Sequence, residues 1–215
     1  DYGNVYLYRN QDFSFTKYDS LGKQLGQMML TVPYKIQSVQ NPLNIVLFSQ
    51  NAQEIHFIDQ NLIITRKIPL SNIGFIKKAY AEDLQQVWLL DDSMKRLVQY
   101  NFRENIIINS FPFFMDYEDI KDMLVFENQL FILTEQDFKV YNFKAEKLFE
   151  AKVENPRKLR RENGTIFIIS EKSIFKYLPY QSVNQVFEAK DAKIVDKNSS
   201  SYFELKGTNL YLYNP

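Results

Sequence analysis

Val87-Trp88-Leu89-Leu90-Asp91 and Leu97-Val98-Gln99-Tyr100-Asn101 read as two short strands joined by a polar turn. The first run is almost continuously apolar. At strand length, that pattern means both faces are covered, as in the middle strand of a sheet held between other sheets. The second run ends on an aromatic residue followed by Asn, and it has counterparts along the whole chain. They are Phe15-Thr16-Lys17-Tyr18-Asp19, Ile55-His56-Phe57-Ile58-Asp59, Phe138-Lys139-Val140-Tyr141-Asn142, Ile174-Phe175-Lys176-Tyr177-Leu178 and Leu210-Tyr211-Leu212-Tyr213-Asn214. Taken in order, the fourth residues of the six runs lie 40, 42, 41, 36 and 36 residues apart.

About ten residues before each run lies a middle-strand candidate, such as Val5–Tyr8, Ile45–Phe48, Leu130–Leu133, Ile166–Ile169 or Tyr202–Leu205. After each Asp or Asn comes a turn and a more polar outer strand, as in Lys23–Met28, Leu62–Arg66 and Lys147–Ala151. The Asx side chain has a physical reason to be there, because it bonds backbone amides two residues on and fixes the turn. A weaker segment precedes each middle strand and would be the innermost: Ile36–Val39, Ile76–Tyr80, Ile120–Val125, Ala192–Val195. Four strands in about 40 to 45 residues, repeated, is the pattern of a β-propeller. The first unit starts at its second strand and the last stops after its third. The pattern predicts an all-β, single-domain propeller over residues 1–215, with six blades of which two are incomplete. A five-bladed arrangement whose surplus terminal strands pair with each other is the alternative, and a sandwich of evenly spaced hairpins the competitor.

The stretches Gly3–Tyr8 through Lys17–Lys23, and Val87–Asp91 through Leu97–Asn101, resemble quinoprotein-like and NHL-like propeller repeats. The resemblance runs along nearly the whole chain and implies architecture alone. The recurrent tryptophan of quinoprotein blades is reduced to Trp88, which argues against a quinone cofactor, and the Gly-His and Trp-Asp signatures of WD40 blades are missing.

The chain has no cysteine, so disulfides and thiolate metal sites are excluded, and its single histidine, His56, rules out multi-histidine metal sites. Twenty-six Lys and Arg balance 26 Asp and Glu, which gives no reason to expect nucleic acid as a partner. No apolar run is long enough for a membrane helix. No phosphate-binding loop or catalytic constellation is visible, and nothing in the sequence asks for a cofactor. His56 reads as a strand histidine facing solvent or a blade interface.

Three stretches stand out as candidate sites. Arg157, Lys158, Arg160 and Arg161 fall on the innermost strand of the fifth unit, where they would make a channel mouth positive and attract an anion or an acidic segment. Lys35, Lys77, Lys78, Lys121 and Lys193 fall in equivalent segments; the alternative is a solvated, acid-paired face. Phe111, Phe113, Phe114, Met115 and Tyr117 lie in a connection between units, where they read either as an exposed protein contact or as wedges between blades. Asp91 and Asp92 sit at a loop rim where carboxylates can act, or where they simply shape a turn. Together these features point to a non-catalytic scaffold that binds another protein, an assembly subunit of the periplasm or cell envelope. The alternative is an enzyme or small-ligand binder at the channel mouth. The start at Asp1 without methionine suits a removed export signal, or equally simple trimming with a cytoplasmic location.

Overall fold

The computed structural model describes residues 3–214; Asp1, Tyr2 and Pro215 lie outside them. The fold is all-β, a six-bladed β-propeller of 22 strands, with no helix among the described residues. The strands form six separate antiparallel sheets, which sets aside the five-bladed alternative. The chain divides into two compact units, residues 1–110 and 111–215.

In the first unit, β1 (Val5–Arg9), β2 (Ser14–Tyr18) and β3 (Gln24–Met29) make a three-stranded blade. The second blade is β4 (Lys35–Ser38), β5 (Ile45–Ser49), β6 (Glu54–Ile58) and β7 (Ile64–Pro69). The third is β8 (Ile76–Ala81), β9 (Gln86–Asp91), β10 (Arg96–Asn101) and β11 (Ile106–Pro112). In β5 every residue is buried, as its unbroken apolar sequence requires. Ile45 and Leu47 enter a cluster with Phe15, Leu30, Tyr34 and Ile58. Val46 and Phe48 face the other way, into a cluster with Ile76, Val87, Leu89 and Val98. One strand thus feeds two interfaces, and this is why period-2 alternation is missing from its sequence.

In the second unit, β12 (Asp122–Phe126), β13 (Gln129–Leu133), β14 (Asp137–Asn142) and β15 (Lys147–Lys152) form the fourth blade. The fifth is β16 (Pro156–Glu162), β17 (Thr165–Ser170), β18 (Ser173–Leu178) and β19 (Ser182–Glu188). The sixth has three strands, β20 (Ile194–Lys197), β21 (Tyr202–Lys206) and β22 (Asn209–Tyr213). Phe131, Phe138, Phe149 and Tyr177 gather between the fourth and fifth blades with ring centroids 5.1 to 6.3 Å apart. Ile169 and Ile174 meet Ala192 and Val195 between the fifth and sixth.

The turns that enter the outer strands work as their Asx residues predict. Asp19 Oδ1 accepts from the amides of Leu21 and Lys23, Asp59 Oδ1 from Asn61 and Ile63, and Asn142 Oδ1 from Lys144 and Glu146. In each, the third residue after the Asx takes a left-handed conformation: Gly22 at φ 81°, Leu62 at 63°, Ala145 at 61°. A register shift follows at Lys17/Tyr18, Phe57/Ile58 and Val140/Tyr141, so these are hairpins closed by a left-handed residue and a bulge. Only the first uses glycine, the residue for which that conformation costs least.

Inner strands have a free edge, and side chains from the preceding blade bond to it. Gln53 bonds both backbone groups of Ile76, accepting from the N–H at 2.7 Å and donating to the carbonyl at 2.9 Å. Gln37 treats Ala81 in the same way, at 2.7 and 2.9 Å. The two amides therefore hold both ends of β8. In the second unit, Asp122 Oδ2 accepts from the amide of Leu159 in β16 at 2.7 Å, and Arg157 Nη2 donates to the carbonyl of Val195 in β20.

Candidate protein-binding surface

Outer strands end the sheets, so one ladder edge and most of their side chains face water. Charged residues normally guard such edges. Arg66 and Lys67 stand on β7, and Lys147, Glu150 and Lys152 on β15. By contrast β3, where Leu25 and Met29 are exposed, carries no charge, and neither does β11, which reads Ile-Ile-Ile-Asn-Ser-Phe-Pro. Ile106, Ile107 and Ile108 are 49%, 44% and 41% exposed. Three successive isoleucines cannot all point one way on a strand, so both faces of β11 are apolar at its start, beside an open ladder edge.

The aromatic connector that follows is divided by the structure. Phe113 and Tyr117 are buried; the Tyr117 hydroxyl donates to the Phe113 carbonyl at 2.6 Å, and the Phe113 ring meets Tyr141 edge-on at 5.2 Å. Phe111, now within β11, is half-buried against Phe143, and Met115 is half-buried. Phe114 stands 81% exposed. The stretch therefore supplies both wedges and one exposed aromatic.

Beside the turn that enters β11, an open groove of about 760 Å³ lies between β7 and the end of β10. Its lining includes Arg66, Lys67, Asn72, Phe102, Arg103 and Asn105. The Arg66 guanidinium lies 5.4 Å over the Phe102 ring, and Arg103 Nε donates to the Leu84 carbonyl at 3.1 Å. No acidic residue lines the groove; Arg66 and Arg103 have no acid partner among the described residues, and Lys67, opposite His56 in the register, faces the other side of β7.

The basic run of the fifth blade is engaged within its own unit. Arg157 donates to the carbonyls of Ser170 and Val195, and burial lowers its pKa. Lys158 pairs with Asp196 at 2.5 Å; burial pushes the Asp196 carboxyl up, but Lys158 and Arg157 outweigh this and hold it below the usual carboxylate range. Arg160 and Lys197 both reach Glu162, and the Arg161 guanidinium sits 4.6 Å over the Phe126 ring. The run and its acids form one network across β16 and β20.

Asp91 is fully buried. Its Oδ1 accepts from the Ser93 amide and hydroxyl and its Oδ2 from Arg96 Nε at 2.8 Å, while Arg96 Nη2 donates to the Ile73 carbonyl. Asp92 pairs with Lys95. His56 is buried rather than solvent-facing, with Nε2 3.0 Å from Glu54 Oε1 and 3.3 Å from the Tyr34 hydroxyl. Tyr34 donates to the same carboxylate, while His56 Nδ1 has no partner. Among the described residues no group of three or more His, Asp or Glu could hold a metal ion, and no helix is long and apolar enough to cross a membrane.

The sequence reading missed the isoleucines of β11 and the groove cations. Uncharged residues in an outer strand were the available signal for the former. The latter come from different blades, and no local pattern links them.

No family model matches the chain, and no curated protein matches it in sequence. Solved structures do. A protein of unknown function from Bacteroides caccae matches with a TM-score of 0.65 at 9% identity, covering 98% of this chain and 89% of its own. An inactive virginiamycin B lyase variant from Staphylococcus aureus, with quinupristin, gives 0.58 at 11%, covering 99% and 74%. The Pan2 WD40 domain from Neurospora crassa gives 0.55 at 6%, covering 100% and 86%. At these identities the likeness is one of fold: the chain shares the β-propeller architecture of these structures.

Proposed function

We propose that this propeller is a protein-interaction module, and that β11 is part of its contact surface. The observation that carries the reading is the uncharged outer strand with Ile106, Ile107 and Ile108 exposed in succession. An edge of that kind is costly to leave bare, because it invites pairing with any extended chain. A partner that covers it removes both the apolar area and the open ladder edge from water. One fold relative is a lyase and another a WD40 domain, so the fold itself does not choose between catalysis and binding.

The test is a photo-reactive amino acid placed at Ile107, with Leu21, 92% exposed on another blade, as the control position. In native cells, position 107 is expected to crosslink one defined protein, position 21 not to, and Ile108→Lys to abolish the product. Equal products from both positions, or products indifferent to Ile108→Lys, contradict the reading.

A further inference from the structure

Arg66 and Arg103 share the groove between β7 and the turn into β11 with no acid in its lining, while Lys67, opposite His56 in the strand register, points to the other face of β7. Guanidiniums fixed in a lining without acids favour an anion seated beside them. Both are already oriented. Stacking on Phe102 places the Arg66 guanidinium, and the Leu84 carbonyl holds Arg103 by its Nε. A guanidinium held in this way matches the two oxygens of a carboxylate. Asn72 and Asn105 add neutral polar groups to the same lining.

What adjoins the groove narrows the occupant. Asn105 lines it, and the next three residues are the exposed isoleucines of β11. An anion binder meant for a small ion has no use for that apolar strand. A polypeptide carrying both acids and apolar side chains would cover the two surfaces at once, in an extended form that strand edges favour. From this charge complementarity we propose that the groove seats carboxylate side chains of an acidic, extended partner segment whose apolar residues lie on Ile106–Ile108. The proposal rests on the protein-binding reading and specifies the chemistry of the partner.

The test uses a fluorescein-labelled peptide of alternating Glu and Val, with a Lys–Val peptide and inorganic phosphate as comparators, read by anisotropy on the whole chain. The Glu–Val peptide is expected to bind, to weaken with added salt, and to weaken about tenfold in the double variant Arg66→Glu, Arg103→Glu. Arg103→Glu alone is expected to weaken it several-fold, and it serves if the double variant loses its circular dichroism spectrum. Phosphate is expected not to compete at equal concentration. No binding, equal binding of the Lys–Val peptide, indifference to charge reversal, or full competition by phosphate would each overturn the proposal. If crosslinking at position 107 persists in the charge-reversed protein, the acidic-partner proposal fails while the protein-binding reading stands; loss of crosslinking in Ile108→Lys is the separate signature of that reading.

Discussion

At the residue scale, several positions are held by geometry that a single substitution exposes. A Cβ on Gly74 would lie 2.3 to 2.4 Å from the Asp91 carboxylate, which Ser93 and Arg96 already pin. Nothing there can give way, so Gly74→Ala is expected to destabilise by about 2–3 kcal/mol in urea unfolding, the cost of overpacking. Ala145 shows the opposite case. It holds a left-handed conformation at φ 61° in the turn where the first blade uses Gly22. Relief of that strain exceeds the entropy glycine adds to the unfolded chain, so Ala145→Gly is expected to stabilise by about 0.5 kcal/mol in the same assay. His56 carries a pH dependence. Burial lowers its pKa below the ordinary 6.5 and Lys67 adds to this, while Glu54 opposes both. Protonation would also place a proton on Nδ1, which has no acceptor. A folded-state pKa below the unfolded one means the contribution is whole above about pH 6.5 and lost as pH falls below it. Unfolding free energy is expected to drop between pH 7.5 and 5.5, and His56→Gln to flatten that drop; an unchanged slope would remove this account.

At the element scale, the sequence revealed strands better than what holds them. The middle strands were legible because burial on both faces leaves an unbroken apolar run, as in Ile45–Phe48. The Asx turns were legible because Asp19, Asp59 and Asn142 act on amides within four residues. Gln37 and Gln53 were not, since their partners Ala81 and Ile76 lie 44 and 23 residues away in another blade. The run at Arg157 to Arg161 was legible as either a positive channel face or an acid-paired one: Glu162 lies two residues from Arg160, but Asp196, the partner of Lys158, lies 38 residues away on β20. The aromatic connector was legible as a feature but not in its parts, because Phe113 and Phe114 differ only in which side of the chain they leave. Gln53→Ala leaves two backbone groups of Ile76 without their partners. It is expected to cost about 1–3 kcal/mol and to speed hydrogen exchange in β8 before β9. Exchange that rises evenly over the third blade would show that the amide does not hold that edge.

At the scale of the whole molecule, one meander recurs six times, and each copy is too thin to cover its own middle strand. Neighbouring blades within each unit supply the cover, as the two clusters on either side of β5 show. Outer strands stay wet and are free to vary, and on β11 that freedom has produced an apolar surface. We propose that residues 1–215 behave as one cooperative domain rather than as separate halves. Residue-resolved native-state hydrogen exchange tests this most directly. The slowest amides of β5, β9, β13 and β17 are expected to open with one shared free energy, and those of β3, β7, β11, β15 and β19 to exchange sooner. Two distinct plateaus, one for β5 and β9 and another for β13 and β17, or outer strands protected as strongly as middle ones, would contradict it.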